Sequence, residues 1–130
     1  MPPYRIEADE AQGIIRVLVT GRMDPAVAAA MITEARAQAA RHKAPGILYD
    51  MRQFEPVDVT SAALFWMPRK VEALQGPQAA RMRIAVLYPP RLAHMAESWE
   101  NAFTNAGLTV KGFGDDEAAA IAWARAAARG

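Results

Sequence analysis

Hydrophobic and polar residues alternate from Tyr4 to Glu10, with Tyr4, Ile6 and Ala8 on one side and Arg5, Glu7 and Asp9 on the other. A period of two is that of a half-exposed β-strand. The polar stretch "DEAQG" closes on Gly13, and "IIRVLVTG", rich in β-branched residues, follows. Together the two segments predict an antiparallel hairpin. The period then changes. Asp24-Pro25 opens a helix, since Asp caps free N–H groups and Pro suits the first helical position. Val27, Met31 and Ala35 recur at i+4, Arg41, His42 and Lys43 collect near the end where positive charge suits the dipole, and Pro45-Gly46 stops the run.

"GILYD" is short, apolar and bounded, hence a buried strand ending at Asp50, and "MRQFEPV" reads as the loop after it. Leu64, Met67, Val71 and Leu74 predict a helix over about 58–75, kinked or divided at Pro68. "RMRIAVLYPP" predicts a strand stopped by its Pro pair. Leu92, Met95, Trp99, Phe103 and Ala106 share one face of a helix over about 90–106, with Gly107 behind it. "LTVKGF" predicts the last strand and "GDDEAAAIAWARAAAR" the last helix, acids first and arginines late. The order is β-β-α-β-α-β-α-β-α in one domain, 1–130. Strict alternation after the hairpin implies an α/β fold: a mainly parallel, mixed five-stranded sheet with an N-terminal antiparallel hairpin and helical cover.

Composition narrows the functional classes. The 130 residues are 52% hydrophobic and 22% charged, enough for one core without a staple. There is no cysteine, which excludes disulfides, zinc–thiolate sites, iron–sulfur clusters and a cysteine nucleophile. A net charge of +1 is too balanced to imply nucleic acid or an anionic membrane as an obligate partner. The start "MPPYRIEADE" lacks a signal-peptide pattern, and no apolar run approaches the ~20 residues of a membrane span. These features lead to the expectation of a cytoplasmic protein.

Ligands in open α/β sheets gather beyond the carboxyl ends of the strands. Arg22, Arg52 and Arg91 fall there and would form an anion rim, against the plainer reading of solvated loop arginines. Asp50 and Asp58 flank one loop, a carboxylate pair or else a strand end and a helix cap. Thr60 and Ser61 sit in the first turn of the helix expected after that loop, where a phosphate would meet free N–H groups. Phe65 and Trp66 flank the Leu64/Met67 face beside Arg69 and Lys70. They form either a partner surface or a widened apolar face. His42 and His94 have no nucleophile or second histidine beside them. With no nucleophile–base pair, metal set or phosphate loop, no cofactor, metal or enzymatic role is expected.

The segment Asp50–Ser61 resembles the STAS domain family, in particular its SpoIIAA-like, stand-alone bacterial branch. In that family a strand ends in Asp, and eight residues later Asp-Ser-Ser-Gly opens a helix. Here "GILYD" ends in Asp50, and "DVTS" begins at Asp58. The element order and the closing "FGDDEAAAIAW" are similar as well. The resemblance implies a phosphorylation-gated signalling module that binds a kinase or an anti-sigma-like protein. Its phosphorylated position falls on Thr60, while Val59 stands at the first Ser and Ser61 at the Gly. On this reading the partner-binding residues are Arg52, Phe54, Asp58, Thr60, Ser61, Phe65 and Trp66, in the 51–61 loop and the helix start. The branch is also similar in fold to CRAL-TRIO domains. That implies an alternative, a lipid or small amphipathic ligand held in an apolar pocket near Phe65 and Trp66. A homodimer is compatible with either.

Overall fold

The computed structural model describes residues 3–21, 25–55, 82–105 and 109–126, and among these lie five strands and three α-helices. The order is β1 (Tyr4–Asp9), β2 (Ile14–Gly21), α1 (Pro25–His42), β3 (Gly46–Phe54), β4 (Arg83–Leu87), a 3-10 turn (Pro90–Leu92), α2 (Ala93–Asn105), β5 (Thr109–Gly112) and α3 (Glu117–Ala126). The strands lie in the order β1-β2-β3-β4-β5. β1 is antiparallel to β2 and every other pair is parallel, the arrangement expected from the alternation of periods. The helix expected over 58–75, with Pro68, lies outside the described residues.

The hairpin turn is closed locally. The Asp9 carbonyl accepts the N–H of Gly13 at 2.7 Å, and the Asp9 carboxylate accepts that of Gln12 at 3.1 Å. Gly13 has φ +72, a left-handed conformation that favours glycine. α1 ends at His42, and Lys43 follows at φ 54, two residues before the expected Pro45-Gly46 stop, while the Ala44 N–H returns to the Ala39 carbonyl at 2.9 Å. That bond uses a terminal carbonyl which would otherwise lack a partner.

Three boundaries differ from expectation. β3 continues to Phe54 instead of ending at Asp50, because β2 is long enough to keep pairing with it: Thr20 faces Gln53 and Gly21 faces Phe54. The helix expected from Pro90 begins as a 3-10 turn, with the Leu92 N–H on the Pro89 carbonyl at 2.9 Å. The last helix begins at Glu117, since Gly114 turns at φ +63 and Asp116 caps the Ala119 N–H at 3.1 Å.

The sheet has two unlike faces. Ile15, Val17, Val19, Ile47, Tyr49 and Ile84 pack against Met31, Ile32, Ala35 and Ala39 of α1 and against Leu92, with Met95, Trp99 and Phe103 of α2 alongside. On the other face Ile14, Leu48, Ala85 and Leu87 meet Ala120 and Ala124 of α3, with Phe113, Ile121 and Trp123 partly buried alongside. α3 can approach so closely because Gly46 lies beneath it. A Cβ there would stand 2.6 Å from the Ala124 carbonyl oxygen and 2.9 Å from its Cβ.

Candidate functional site

Strands β2, β3 and β4 point their carboxyl ends at one rim of the sheet, and β3 changes character there. Between Leu18 and Thr20 of β2 its register shifts, so that β3 holds one extra residue between Asp50 and Gln53. A bulge of this kind re-aims the side chains that follow it. Asp50 and Arg52 both turn to the α3 face, whereas Phe54 enters the core of the α1/α2 face, 5% exposed, with its ring 5.8 Å from that of Trp99.

Asp50 is the one buried charged residue among the described core, 8% exposed. Arg52 closes on it from two sides. Its backbone N–H donates to Oδ1 at 3.2 Å, its Nε to Oδ1 at 2.9 Å and its Nη2 to Oδ2 at 2.7 Å. Burial by itself would push the Asp50 carboxyl up. The Arg52 hydrogen bonds, together with the charges of Arg52 and Arg16, outweigh it and hold the group below the usual carboxylate range. The Asp50 hydrogen bond raises Arg52 in turn. The clamp then extends to the last helix. Glu117 Oε1 accepts Arg52 Nη2 at 3.2 Å and Arg16 Nη2 at 2.7 Å, and Arg16 Nη1 lies 3.8 Å from Asp9 Oδ2. One carboxylate in the first turn of α3 thus bridges β2 and β3.

On the other side of β3, Arg91 of the 3-10 turn donates to the Phe54 carbonyl at 2.9 Å, and the Glu55 N–H donates to the Gly21 carbonyl at 2.8 Å. The end of β3 is therefore held by side chains from β3 itself, α3 and the turn after β4.

These positions revise the sequence reading. Arg52 and Phe54 belong to a strand, not to a loop, because pairing with β2 continues past Asp50. Phe54 is a core residue and offers no ring to a partner. Arg52 donates to Asp50 and Glu117, and the exposed Arg91 donates to the Phe54 carbonyl. Arg22, Asp58, Thr60, Ser61, Phe65 and Trp66 lie outside the described residues. His42 and His94 are exposed. Glu117 and Arg16, central to the clamp, carried no local signal. They pair across 101 residues, and Glu117 meets Arg52 across 65.

Among the described residues no group of three His, Asp or Glu side chains is placed to hold a metal ion, and no helix is long and apolar enough to cross a membrane. The model of the SpoIIAA-like family matches residues 14–125, which run from β2 to the end of α3 and so include the clamp. The chain belongs to the SpoIIAA-like family. No curated protein matches it. Family and topology agree, since the hairpin-led, otherwise parallel sheet is the α/β arrangement expected of a STAS-like domain.

Proposed function

We propose that this SpoIIAA-like chain is a non-enzymatic, cytoplasmic regulatory module that binds a protein partner, a kinase or an anti-sigma-like protein, where the chain leaves β3. Residues 55–61 and the start of the following helix make the contact. On this reading Asp58, Phe65 and Trp66 take part in the contact, and phosphorylation of Thr60 or Ser61 controls binding. The observation behind this reading is the held end of β3, where Asp50, Arg52, Glu117 and Arg91 fix the strand from which the recognition segment departs. A recognition segment gains precision when its stem is rigid. Affinity capture with wild type and with Thr60→Glu, each followed by mass mapping of Thr60 and Ser61, tests the reading. The expected result is a partner retained by wild type and lost by Thr60→Glu, with phosphate on one of the two hydroxyls. Absence of phosphate at both removes the switch. Equal capture by both proteins removes the binding site.

A second reading, an amphipathic ligand, is favoured by one other observation. The Tyr49 hydroxyl is buried in the apolar α1/α2 face and finds no hydrogen-bond partner among the described residues. Burial pushes its pKa far up, so it stays a neutral donor. An unpaired buried hydroxyl costs roughly 1–3 kcal/mol, which a ligand oxygen at that spot would offset. In native mass spectrometry this reading requires a co-purified small molecule that Tyr49→Phe loses. If none is present, Tyr49→Phe leaves the protein as stable or more so.

A further inference from the structure

We propose that β1 is a self-association edge, and that a second copy of this chain adds to it about a two-fold axis at Ile6, extending the sheet across two molecules. β1 ends the strand order, so no described strand pairs with its outer side.

The hydrogen-bonding parity of β1 decides which groups face outward. Pro3 lies opposite Thr20 and accepts its N–H at 2.7 Å, and the register continues through Arg5↔Leu18, Glu7↔Arg16 and Asp9↔Ile14. In an antiparallel ladder the directly bonded pairs alternate with non-bonded ones. Pro3, Arg5, Glu7 and Asp9 therefore turn their backbone groups to β2. Tyr4, Ile6 and Ala8 turn theirs away from the sheet, leaving a row of unused donors and acceptors.

The side chains make that edge complementary to itself. Arg5 and Glu7 are exposed at 69% and 57%, and they pair with each other at 3.0 Å along their own strand. Placing the two-fold axis on Ile6 sets Arg5 opposite Glu7 of the second copy, and Glu7 opposite its Arg5. Those are non-bonded pairs, in which side chains stand closest. The same axis sets Ile6 opposite Ile6 and Tyr4 opposite Ala8, all residues with outward backbone groups, for about six new backbone hydrogen bonds. Moving the axis to Ala8 would oppose Glu7 with Asp9, two like charges. Moving it to Tyr4 would bring Pro2 and Pro3 into the ladder. Ile6 is the register that satisfies backbone and charge together. On the opposite face the half-buried Tyr4, Ile6 and Ala8 of both copies would form one continuous apolar strip beside α1. Charged edge residues ordinarily discourage pairing, but opposite charges spaced by two around a central residue favour an antiparallel copy.

The contact is small, so its dissociation constant is expected in roughly the micromolar range. Sedimentation velocity and backbone amide exchange over about 10 μM to 1 mM test it. The expected result is a monomer–dimer equilibrium in which the amides of Tyr4, Ile6 and Ala8 gain protection with concentration. Those of Arg5 and Glu7 are protected throughout by β2. Ile6→Pro removes an outward donor that β2 does not use and should abolish the dimer. Arg5→Glu and Glu7→Arg should each weaken it about tenfold. The double variant, or a mixture of the two single variants, should restore it. A monomer at every concentration overturns the proposal. So does a dimer that the single charge reversals leave unweakened, or one whose concentration-dependent protection falls outside β1.

Discussion

The two faces of the sheet are held by different physics. The α1/α2 face is a deep apolar layer of Ile, Val, Met and aromatic side chains. The α3 face is smaller, with alanines set against the sheet at Gly46, Phe113, Ile121 and Trp123 partly buried beside them, and a chain of charges fastening the helix at its first turn. Apolar burial is tolerant of direction and scales with area, whereas a carboxylate shared between two guanidinium groups depends on geometry and on solvent. The deep face therefore supplies most of the stability. The smaller face helps to hold the end of β3 that pairing with β2 extends, and with it the stem of the candidate recognition segment.

Substitutions on the two faces should differ in size and in kind. The largest effect is expected from Ile47→Ala at the centre of the deep face, fully buried, at about 3–4 kcal/mol in chemical denaturation. Gly46→Ala comes next. Its new Cβ collides with Ala124, so α3 must move outward, at about 2–3 kcal/mol, with faster amide exchange confined to α3. Asp50→Asn should follow at about 1–2 kcal/mol, because it removes the charge that Arg52 grips while Arg52 keeps solvent and Glu117.

The Asp50 contribution has a defined pH dependence. Its folded pKa lies below its unfolded one, so protonation favours the unfolded chain. Its stabilisation is complete above the unfolded value of about 4 and is lost as pH falls through the folded value. Wild type and Asp50→Asn should therefore converge in stability only in acid, whereas the Ile47→Ala difference should not follow this titration. Glu117→Gln should have the smallest effect, under about 1 kcal/mol and reduced further by salt, since its pairs are partly exposed. A Glu117→Gln effect as large as that of Ile47→Ala would erase the contrast between the faces.

Local periodicity made most of the architecture legible. The alternation in Tyr4–Glu10, the Asp24-Pro25 start and the Leu92–Phe103 stripe each named its element, and the parallel sheet followed from their order. The end of β3 was not legible. Its extra residue breaks the period of two, so Arg52 and Phe54 looked like loop. Whether that segment stays a strand depends on the length of β2, a tertiary fact. The clamp was hidden for a related reason: a first-turn Glu117 is explained locally by the helix dipole. Its pairing with Arg16 and Arg52 exists only once the sheet is assembled. The family motif did point to Asp50, which the fold buries and pairs.

The central claim, that a partner docks where the chain leaves β3, is tested most directly by site-specific photo-cross-linking in extract of the native cell. A photoreactive side chain is placed at Thr60 and, as a control, at the exposed His42 at the far end of α1. The account predicts one discrete protein adduct from Thr60 that His42 does not give. It also predicts that Asp50→Asn, by loosening the strand end, weakens the adduct. Equal adducts from both positions, or none from Thr60, would contradict it.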